Sequence, residues 1–263
     1  RESIYQEAIE TIQTIVLDKE KILSLNVPTG TGKTFTSLSC ALKLKNRLKN
    51  EKGFNPKLIY CLPFTSIIDQ NYDVIEKILK EAGIKDIDTT TLLKHHHLAD
   101  KSYKTEDPQE SENLSTSESM LLIESWRSAI VVTTFVQFFQ SIITNKNRNL
   151  KKFHNIANSI VILDEIQAVP YEYWYLIKHV LKEFSEIFNT YFILVTATKP
   201  LIFPESETKE LLKDRESIFK NKLLGRIELK PPKEAQTLEA FKTSLTEDLQ
   251  GQYADKSALI ILN

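Results

Sequence analysis

Two closely spaced glycines separate a short apolar run from a helical pattern near the start of this 263-residue chain. Gly30 and Gly32 are two of only six glycines, whereas average usage near 7% would give about 18. Residues 21–27 have the apolar character of a strand, and residues 35–48 repeat apolar side chains at helical spacing. A glycine loop between a strand and a helix can turn several backbone N–H groups toward one phosphate. The sequence therefore predicts a phosphate-binding loop.

The rest of the chain alternates between helical and strand-like patterns. Helices are predicted at 3–17, 35–48, 66–82, 135–143, 171–188 and 237–249, and strands at 21–27, 57–62, 129–134, 159–163, 191–195 and 258–262. Continuously apolar strands between helices are typical of a parallel sheet covered on both faces. We therefore expect an α/β nucleotide-binding fold whose ligand lies at the carboxyl ends of the strands.

Two segments interrupt this order. Residues 105–119 are acidic and almost free of apolar side chains, so we expect a mobile loop there. Residues 199–236 are rich in proline and lysine, which indicates a domain boundary. We expect a first domain at 1–203, a linker at 204–236 and the beginning of a second domain at 237–263. The chain starts at Arg1, has Met120 as its only methionine, and stops after a strand-like run, so we expect it to be a piece of a longer protein.

Charge and cysteine content limit the possible partners and the compartment. The 34 basic and 35 acidic residues nearly cancel, so a nucleic acid would have to be held by a local basic groove. Cys40 and Cys61 each lie in an apolar run, which favours buried, reduced thiols. No membrane helix or signal peptide is recognisable. We therefore expect a cytoplasmic protein without a membrane partner.

The glycine loop has the side chains that bind a nucleoside triphosphate. Lys33 follows Gly32 and is predicted to reach the β- and γ-phosphates, and Thr34 is predicted to ligate Mg²⁺. The first glycine of the usual pattern is replaced by Val27, which leaves a shorter G-x-G-K-T loop. The cofactors expected are ATP and Mg²⁺. The predicted nucleotide-binding residues of the loop are Pro28, Thr29, Gly30, Thr31, Gly32, Lys33 and Thr34.

Paired carboxylates end the apolar run at 159–163. At the ligand-binding edge of a sheet, Asp164 can hold the magnesium ion, often through water, and Glu165 can polarise the attacking water. We therefore predict Lys33, Asp164 and Glu165 as catalytic residues and Thr34 and Asp164 as metal ligands. Without the glycine loop, such a pair would more often be a solvated strand end.

The run Thr196-Ala197-Thr198 also follows a strand. Its two hydroxyls are predicted to hydrogen-bond the Asp164 segment and to relay the nucleotide state, although an ordinary turn stabilised by a hydroxyl is the alternative.

These motifs, taken in order, resemble those of a superfamily 2 helicase, and within it the CRISPR-associated signature helicase-nuclease of type I systems. The narrower resemblance rests on Glu124-Ser125-Trp126, on the histidines at 95–96 followed by an acidic insertion, and on residues 164–170. It implies a RecA-like P-loop domain, a parallel sheet between helices, with the start of a second RecA-like domain. It also implies an ATP-driven motor that pulls single-stranded DNA, with an HD nuclease domain in cis or in trans and a guide-RNA surveillance complex as partners.

The resemblance implies further site residues. Gln6 is placed to read adenine, although an exposed helix glutamine is an equal alternative. Gln167, where many relatives have histidine, is assigned to coupling together with Thr196, Ala197 and Thr198. The loops after two strands are predicted to hold DNA phosphates, although their hydroxyls could cap helices instead; the residues are Pro63, Thr65, Thr133 and Thr134. The arginines that complete catalysis are expected after Asn263, so this piece alone should hydrolyse ATP poorly.

Two clusters and two rival functions stay open at this stage. The histidines at 95–97 favour a structural loop over a metal site, because alternate strand residues point to opposite faces. The basic residues at 146–152 fit either a DNA backbone or a solvated surface. An ATP-dependent restriction or repair translocase would share every motif, and a non-catalytic nucleotide switch would not need Glu165.

Overall fold

The computed structural model describes residues 2–96, 116–198, 202–213 and 237–251. The chain divides into two compact units, Arg1–Asn221 and Lys222–Asn263. The first unit contains the sheet and every motif named above.

All strands described in the first unit belong to one sheet, in which every pair is parallel. Its order is β3-β4-β2-β5-β6-β1-β7. The strands are β1 (Ile22–Asn26), β2 (Leu58–Leu62), β3 (Leu92–His95), β4 (Ile130–Thr134), β5 (Ile160–Asp164), β6 (Tyr191–Thr196) and β7 (Lys209–Glu210). The interior strands β1, β2, β4, β5 and β6 are buried along their whole length, which explains their continuous apolar sequences.

Helices connect the strands and cover both faces of the sheet. They are α1 (Glu2–Thr14), α2 (Lys33–Lys52), α3 (Ile68–Glu81), α4 (Thr116–Glu124), α5 (Phe135–Ile142), α6 (Asn147–Leu150), α7 (Phe153–Ile156) and α8 (Trp174–Ile187). Short 3₁₀ turns lie at Thr65–Ile67, Ile166–Ala168, Tyr171–Tyr173 and Glu205–Glu207. One apolar core joins the sheet to α1, α2 and α3, and the other joins it to α5 and α8. The predicted fold class, a RecA-like α/β domain, is confirmed.

The first domain extends beyond the predicted boundary at residue 203. β7 pairs with β1, and Ser24 Oγ donates a hydrogen bond to Glu210 Oε2 at 2.8 Å. Leu211 and Leu212 are buried in the core. The prediction missed β7 because two polar residues carry no strand pattern and pair only through tertiary contacts. Residues 204–213 therefore belong to the first unit rather than to a linker, and 214–236 lie outside the described residues.

Two other predictions need correction or cannot be assessed. β3 lies in a region expected to be irregular, because its four residues include only two buried apolar side chains. The predicted acidic loop ends earlier than expected, since α4 begins at Thr116, while residues 105–115 lie outside the described residues.

The second unit contributes one described helix, α9 (Leu238–Gln250), and Thr237 caps its N-terminus by accepting a hydrogen bond from Ala240 N. The predicted strand at 258–262 lies outside the described residues. None of the helices in the described part of the chain is both long and apolar enough to cross a bilayer.

Candidate nucleotide-binding site

The glycine loop turns sharply from β1 into α2. Gly30 and Gly32 adopt φ values of 77° and 92°, which L side chains rarely adopt, so glycine is required here by backbone conformation. Thr31 stabilises the turn by donating its hydroxyl hydrogen to Pro28 O at 2.7 Å. Lys33 and Thr34 form the first turn of α2, where unpaired N–H groups and the helix dipole favour an anion.

The strand β6 lies between β1 and β5 and joins the glycine loop to the paired carboxylates. Val27 N donates to Thr196 O at 3.1 Å, and Glu165 N donates to Val195 O at 2.9 Å. The last residues of β6 therefore hold both loops by backbone hydrogen bonds. This explains how motifs far apart in the sequence meet at one edge of the sheet.

Lys33 and Glu165 form an ion pair across this edge. Glu165 has a left-handed backbone, with φ 58° and ψ 43°, at the point where β5 passes into the turn at Ile166–Ala168. Such a conformation is uncommon for a non-glycine residue. The strand ends at Asp164, and the side chain of Glu165 contacts the lysine of the phosphate loop.

Asp164 is buried beside a buried tyrosine that the sequence analysis did not identify. The hydroxyl of Tyr60, on β2, donates a hydrogen bond to Asp164 Oδ2 at 2.7 Å. Burial raises the pKa of the Asp164 carboxyl, while the Tyr60 hydrogen bond and the Lys33 charge act in the opposite direction. Burial, followed by the nearby Asp164 charge, raises the pKa of Tyr60, so its hydroxyl stays protonated and keeps donating.

The oxygens at this edge fit a magnesium ion. Asp164 Oδ1 is buried and has no hydrogen-bond partner among the described residues. The Thr34 hydroxyl lies on the adjoining first turn of α2, and Mg²⁺ prefers carboxylate and hydroxyl oxygens with retained water. A cation beside Asp164 would satisfy an oxygen that the protein leaves unpaired.

A hydrogen-bonded chain connects Glu165 to the end of β6. The Gln167 amide donates to Glu165 Oε2 and accepts from the Thr196 hydroxyl, whose oxygen lies 2.6 Å from Gln167 Oε1. Thr198 N donates to Thr196 Oγ1 at 3.0 Å, and Ala197 lies between the two threonines. The structure therefore brings together all four residues assigned to coupling.

Gln6 lies on α1 and is exposed, with its amide donating to Glu2 Oε1 at 2.7 Å. Its neighbour Tyr5 packs against Phe35 of α2, with ring centroids 5.4 Å apart. The assignment of Gln6 to adenine remains a prediction.

The segments assigned to nucleic acid differ in the exposure and hydrogen bonding of their side chains. Pro63 and Thr65 are partly exposed after β2, next to Phe64, which is 61% exposed. At the end of β4, the hydroxyl of Thr133 is buried and donates to His95 O at 2.8 Å, whereas Thr134 Oγ1 accepts from Gln137 N and caps α5. A phosphate contact through the Thr133 hydroxyl is therefore not supported, because this group is enclosed and already bonded.

The basic stretch and the histidines also have internal roles. Lys152 is buried, with Nζ 5.7 Å from the centre of the Trp126 ring, and Lys151 pairs with Glu124 at 3.5 Å. Lys152 is thus not a surface contact for DNA. The His95 ring meets the same Trp126 edge-on at 5.9 Å, while His97 lies outside the described residues.

A glycine loop followed by lysine, a strand-end Asp-Glu pair and a threonine motif, joined across one parallel sheet, are the arrangement typical of P-loop helicases. Residues 3–205 match the DEAD/DEAH box helicase family, and the chain belongs to that family.

Similar proteins point to one branch of these helicases. The chain is 36% identical over 196 residues to the CRISPR-associated nuclease/helicase Cas3 of Haloferax volcanii, covering 73% of this chain and 20% of the relative. The crystal structures of T. fusca Cas3 and T. fusca Cas3-ATP have the same fold, with TM-scores of 0.58 and 0.56 at 19% and 18% identity. These alignments cover 89% and 88% of this chain and 25% of each solved chain. The chain thus spans about a fifth to a quarter of the length of these relatives.

Proposed function

We propose that this chain is the ATP-hydrolysing motor domain of a CRISPR type I helicase-nuclease, and that it drives unwinding and degradation of DNA along a single strand. The observation that carries the proposal is the meeting of Lys33, Asp164 and Glu165 beside the N-terminus of α2. The similarity to a protein named as a CRISPR-associated nuclease/helicase supports the choice of branch.

The ion pair between Lys33 and Glu165 gives each residue a clear role in this reaction. A triphosphate at the glycine loop would attract Lys33 away from Glu165, because several phosphate charges compete with one carboxylate. Glu165 would then be available to accept a proton from an attacking water. The Lys33–Glu165 ion pair would thus break when ATP binds.

Thr34 and Asp164 would hold magnesium, which when bound neutralises charge on the phosphates. Tyr60 would orient Asp164 by occupying Oδ2 and leaving Oδ1 toward the cation. Burial of this carboxylate strengthens its interaction with a cation by lowering the local dielectric.

The expected partners follow from the proposed branch. Single-stranded DNA would cross the loops after β2 and β4, where Pro63 and Thr65 lie near the surface. An HD nuclease, in cis or in trans, would cut the strand that the motor delivers, and a guide-RNA surveillance complex would recruit it. A second RecA-like domain would follow the first, and the assembly would work in the cytoplasm.

The experiment is ATP turnover and strand displacement by the whole protein, with and without single-stranded DNA. We expect turnover to rise with DNA and displacement to require ATP and Mg²⁺. Nucleotide binding with no turnover on any DNA would favour the nucleotide switch instead. Turnover stimulated only by duplex DNA would favour a restriction or repair translocase and contradict the proposal.

A further inference from the structure

Asn71 joins the phosphate-loop helix to the turn after β2 through the two ends of its side-chain amide. It lies in the first turns of α3, and its Oδ1 accepts a hydrogen bond from the Thr34 hydroxyl at 3.0 Å. Its Nδ2 donates to the backbone oxygen of Ile67 at 2.9 Å. One amide group therefore contacts both the phosphate-loop helix and the turn that follows β2.

The two hydrogen-bond partners of Asn71 belong to different proposed sites, the nucleotide site and the DNA-contacting turn after β2. Thr34 is a proposed magnesium ligand beside Lys33. Ile67 is the last residue of the 3₁₀ turn Thr65–Ile67, which carries Thr65 and follows the exposed Phe64. A displacement of either partner by about 1 Å would break one of the two hydrogen bonds, since they weaken steeply with distance and angle.

The chemistry of the amide predicts how ligand binding at Thr34 changes the hydrogen bond from Asn71 to Ile67. A hydroxyl whose oxygen binds a cation is a stronger hydrogen-bond donor, because the cation withdraws electron density from it. A stronger bond from Thr34 to Oδ1 polarises the amide and strengthens donation from Nδ2 to Ile67. Ligand binding at Thr34 would therefore hold the Thr65–Ile67 turn more firmly, and any ligand that fixes this turn would favour the same state of Thr34.

We propose that Asn71 is a positioning residue through which the nucleotide site and the Thr65–Ile67 turn respond to each other. This inference rests on the proposed function, because it requires the turn to contact DNA. Asn71 itself would touch neither the phosphates nor the nucleic acid. Its effect lies in the coupling between the two ligands rather than in the affinity for either one alone.

The test measures the dissociation constant of the whole protein for a labelled oligothymidylate, with and without a nonhydrolysable ATP analogue and Mg²⁺. The ratio of the two constants is the coupling. For Asn71→Ala we expect this ratio to move toward one by about 3- to 10-fold, the effect of losing one or two hydrogen bonds. DNA affinity without nucleotide should change by less than about 2-fold.

Two further variants separate coupling from loss of fold. Asn71→Asp keeps an acceptor for Thr34 but has no donor for Ile67 O, so it should also lose coupling. Asn50→Ala is the matched control, because Asn50 is a helical asparagine with a side-chain bond to Asn46 and no contact with the site. It should keep the wild-type ratio, and thermal melting of all three variants checks that they fold.

Suppose that the ratio of DNA dissociation constants with and without nucleotide differs clearly from one in the wild type. The same ratio in folded Asn71→Ala would then overturn the role of Asn71 and leave the proposed function standing. A wild-type protein whose ATP turnover ignores single-stranded DNA would overturn both. The two failures are therefore distinguishable.

Discussion

The nucleotide site and the loops assigned to nucleic acid lie at the same edge of the sheet but differ in what their polar groups contact. In the nucleotide site, Lys33 and Gln167 both bond to the side chain of Glu165, whose backbone N–H donates to β6. At the end of β4, Thr133 donates a hydrogen bond to His95 O of β3 and Thr134 caps α5. The nucleotide site leaves the buried Asp164 Oδ1 without a hydrogen-bond partner among the described residues, whereas both threonine hydroxyls of β4 have one.

This difference shows which sequence patterns identify a ligand site. The glycine loop needs positive φ values and a lysine at one position, so alternative roles for the same residues are few. Threonine after a strand has a common structural use as a helix cap. The nucleotide site should therefore respond to single substitutions far more strongly than the segments at the ends of β2 and β4.

The largest effect is expected from Lys33→Ala. Loss of this charge removes a phosphate contact, and ATP turnover by the whole protein should fall by roughly 10²- to 10³-fold while the fold is retained. Steady-state phosphate release measures it. Lys49→Ala, an exposed lysine on the same helix, is the control and should turn over ATP normally. Wild-type turnover in Lys33→Ala would refute the assignment of the loop.

Glu165→Gln should separate binding from hydrolysis. The amide cannot act as a base, so single-turnover hydrolysis should slow by about 10²-fold or more, whereas ATP affinity should stay within about 3-fold. Equilibrium binding and rapid quench on the same preparation measure the two. Glu172→Gln, an exposed acid in the following segment, should affect neither. Equal losses of binding and hydrolysis would make Glu165 a ligand or a structural residue.

Tyr60→Phe should raise the Mg²⁺ concentration needed for half-maximal turnover by about 10-fold, because a hydrogen bond to a charged group contributes about 1.5–3 kcal/mol. Its loss also allows the pKa of the buried Asp164 carboxyl to rise further, which disfavours the charged form. A magnesium titration of turnover measures the change.

Tyr191→Phe is the matched control. Tyr191 is equally buried in the same sheet and donates its hydroxyl hydrogen to Leu17 O at 2.7 Å, away from the site. Both variants should lose similar unfolding free energy, but only Tyr60→Phe should change the magnesium requirement. Identical titration curves for the two would reduce Tyr60 to a core residue.

The smallest effect is expected from the pair Thr65→Ala and Thr134→Ala. These hydroxyls are predicted to contact DNA phosphates, so their removal should lower DNA stimulation of turnover by about 2- to 5-fold, more than it lowers basal turnover. The remaining stimulation should be independent of DNA sequence and should weaken with salt. Removing the Thr134 cap alone should cost about 1 kcal/mol of unfolding free energy. Thr237→Ala removes a comparable cap from α9 and serves as the control. Unchanged DNA stimulation in the pair would exclude these loops from the DNA path.

Sequence patterns predicted most of the sheet and the meeting of the glycine loop with Asp164 and Glu165, because apolar strands and a glycine loop depend on local physics. The sequence patterns did not predict β3 and β7. These strands have only four and two residues, some of them polar, and they form only by pairing with neighbouring strands. Tyr60 was not predicted because a single tyrosine in an apolar strand is indistinguishable by sequence from a core residue. Its role depends on the hydrogen bond to Asp164 on the neighbouring strand. The left-handed backbone of Glu165 and the amide bridge of Asn71 likewise follow from tertiary contacts.

The most direct test of the central claim is a crystal structure of the protein with a nonhydrolysable ATP analogue and Mn²⁺ in place of Mg²⁺. We predict an anomalous peak between the Thr34 hydroxyl and Asp164, phosphates at the Gly30–Gly32 N–H groups, and Lys33 moved from Glu165 to the phosphates. A nucleotide bound elsewhere, or a Lys33–Glu165 pair that persists with the triphosphate in place, would contradict it.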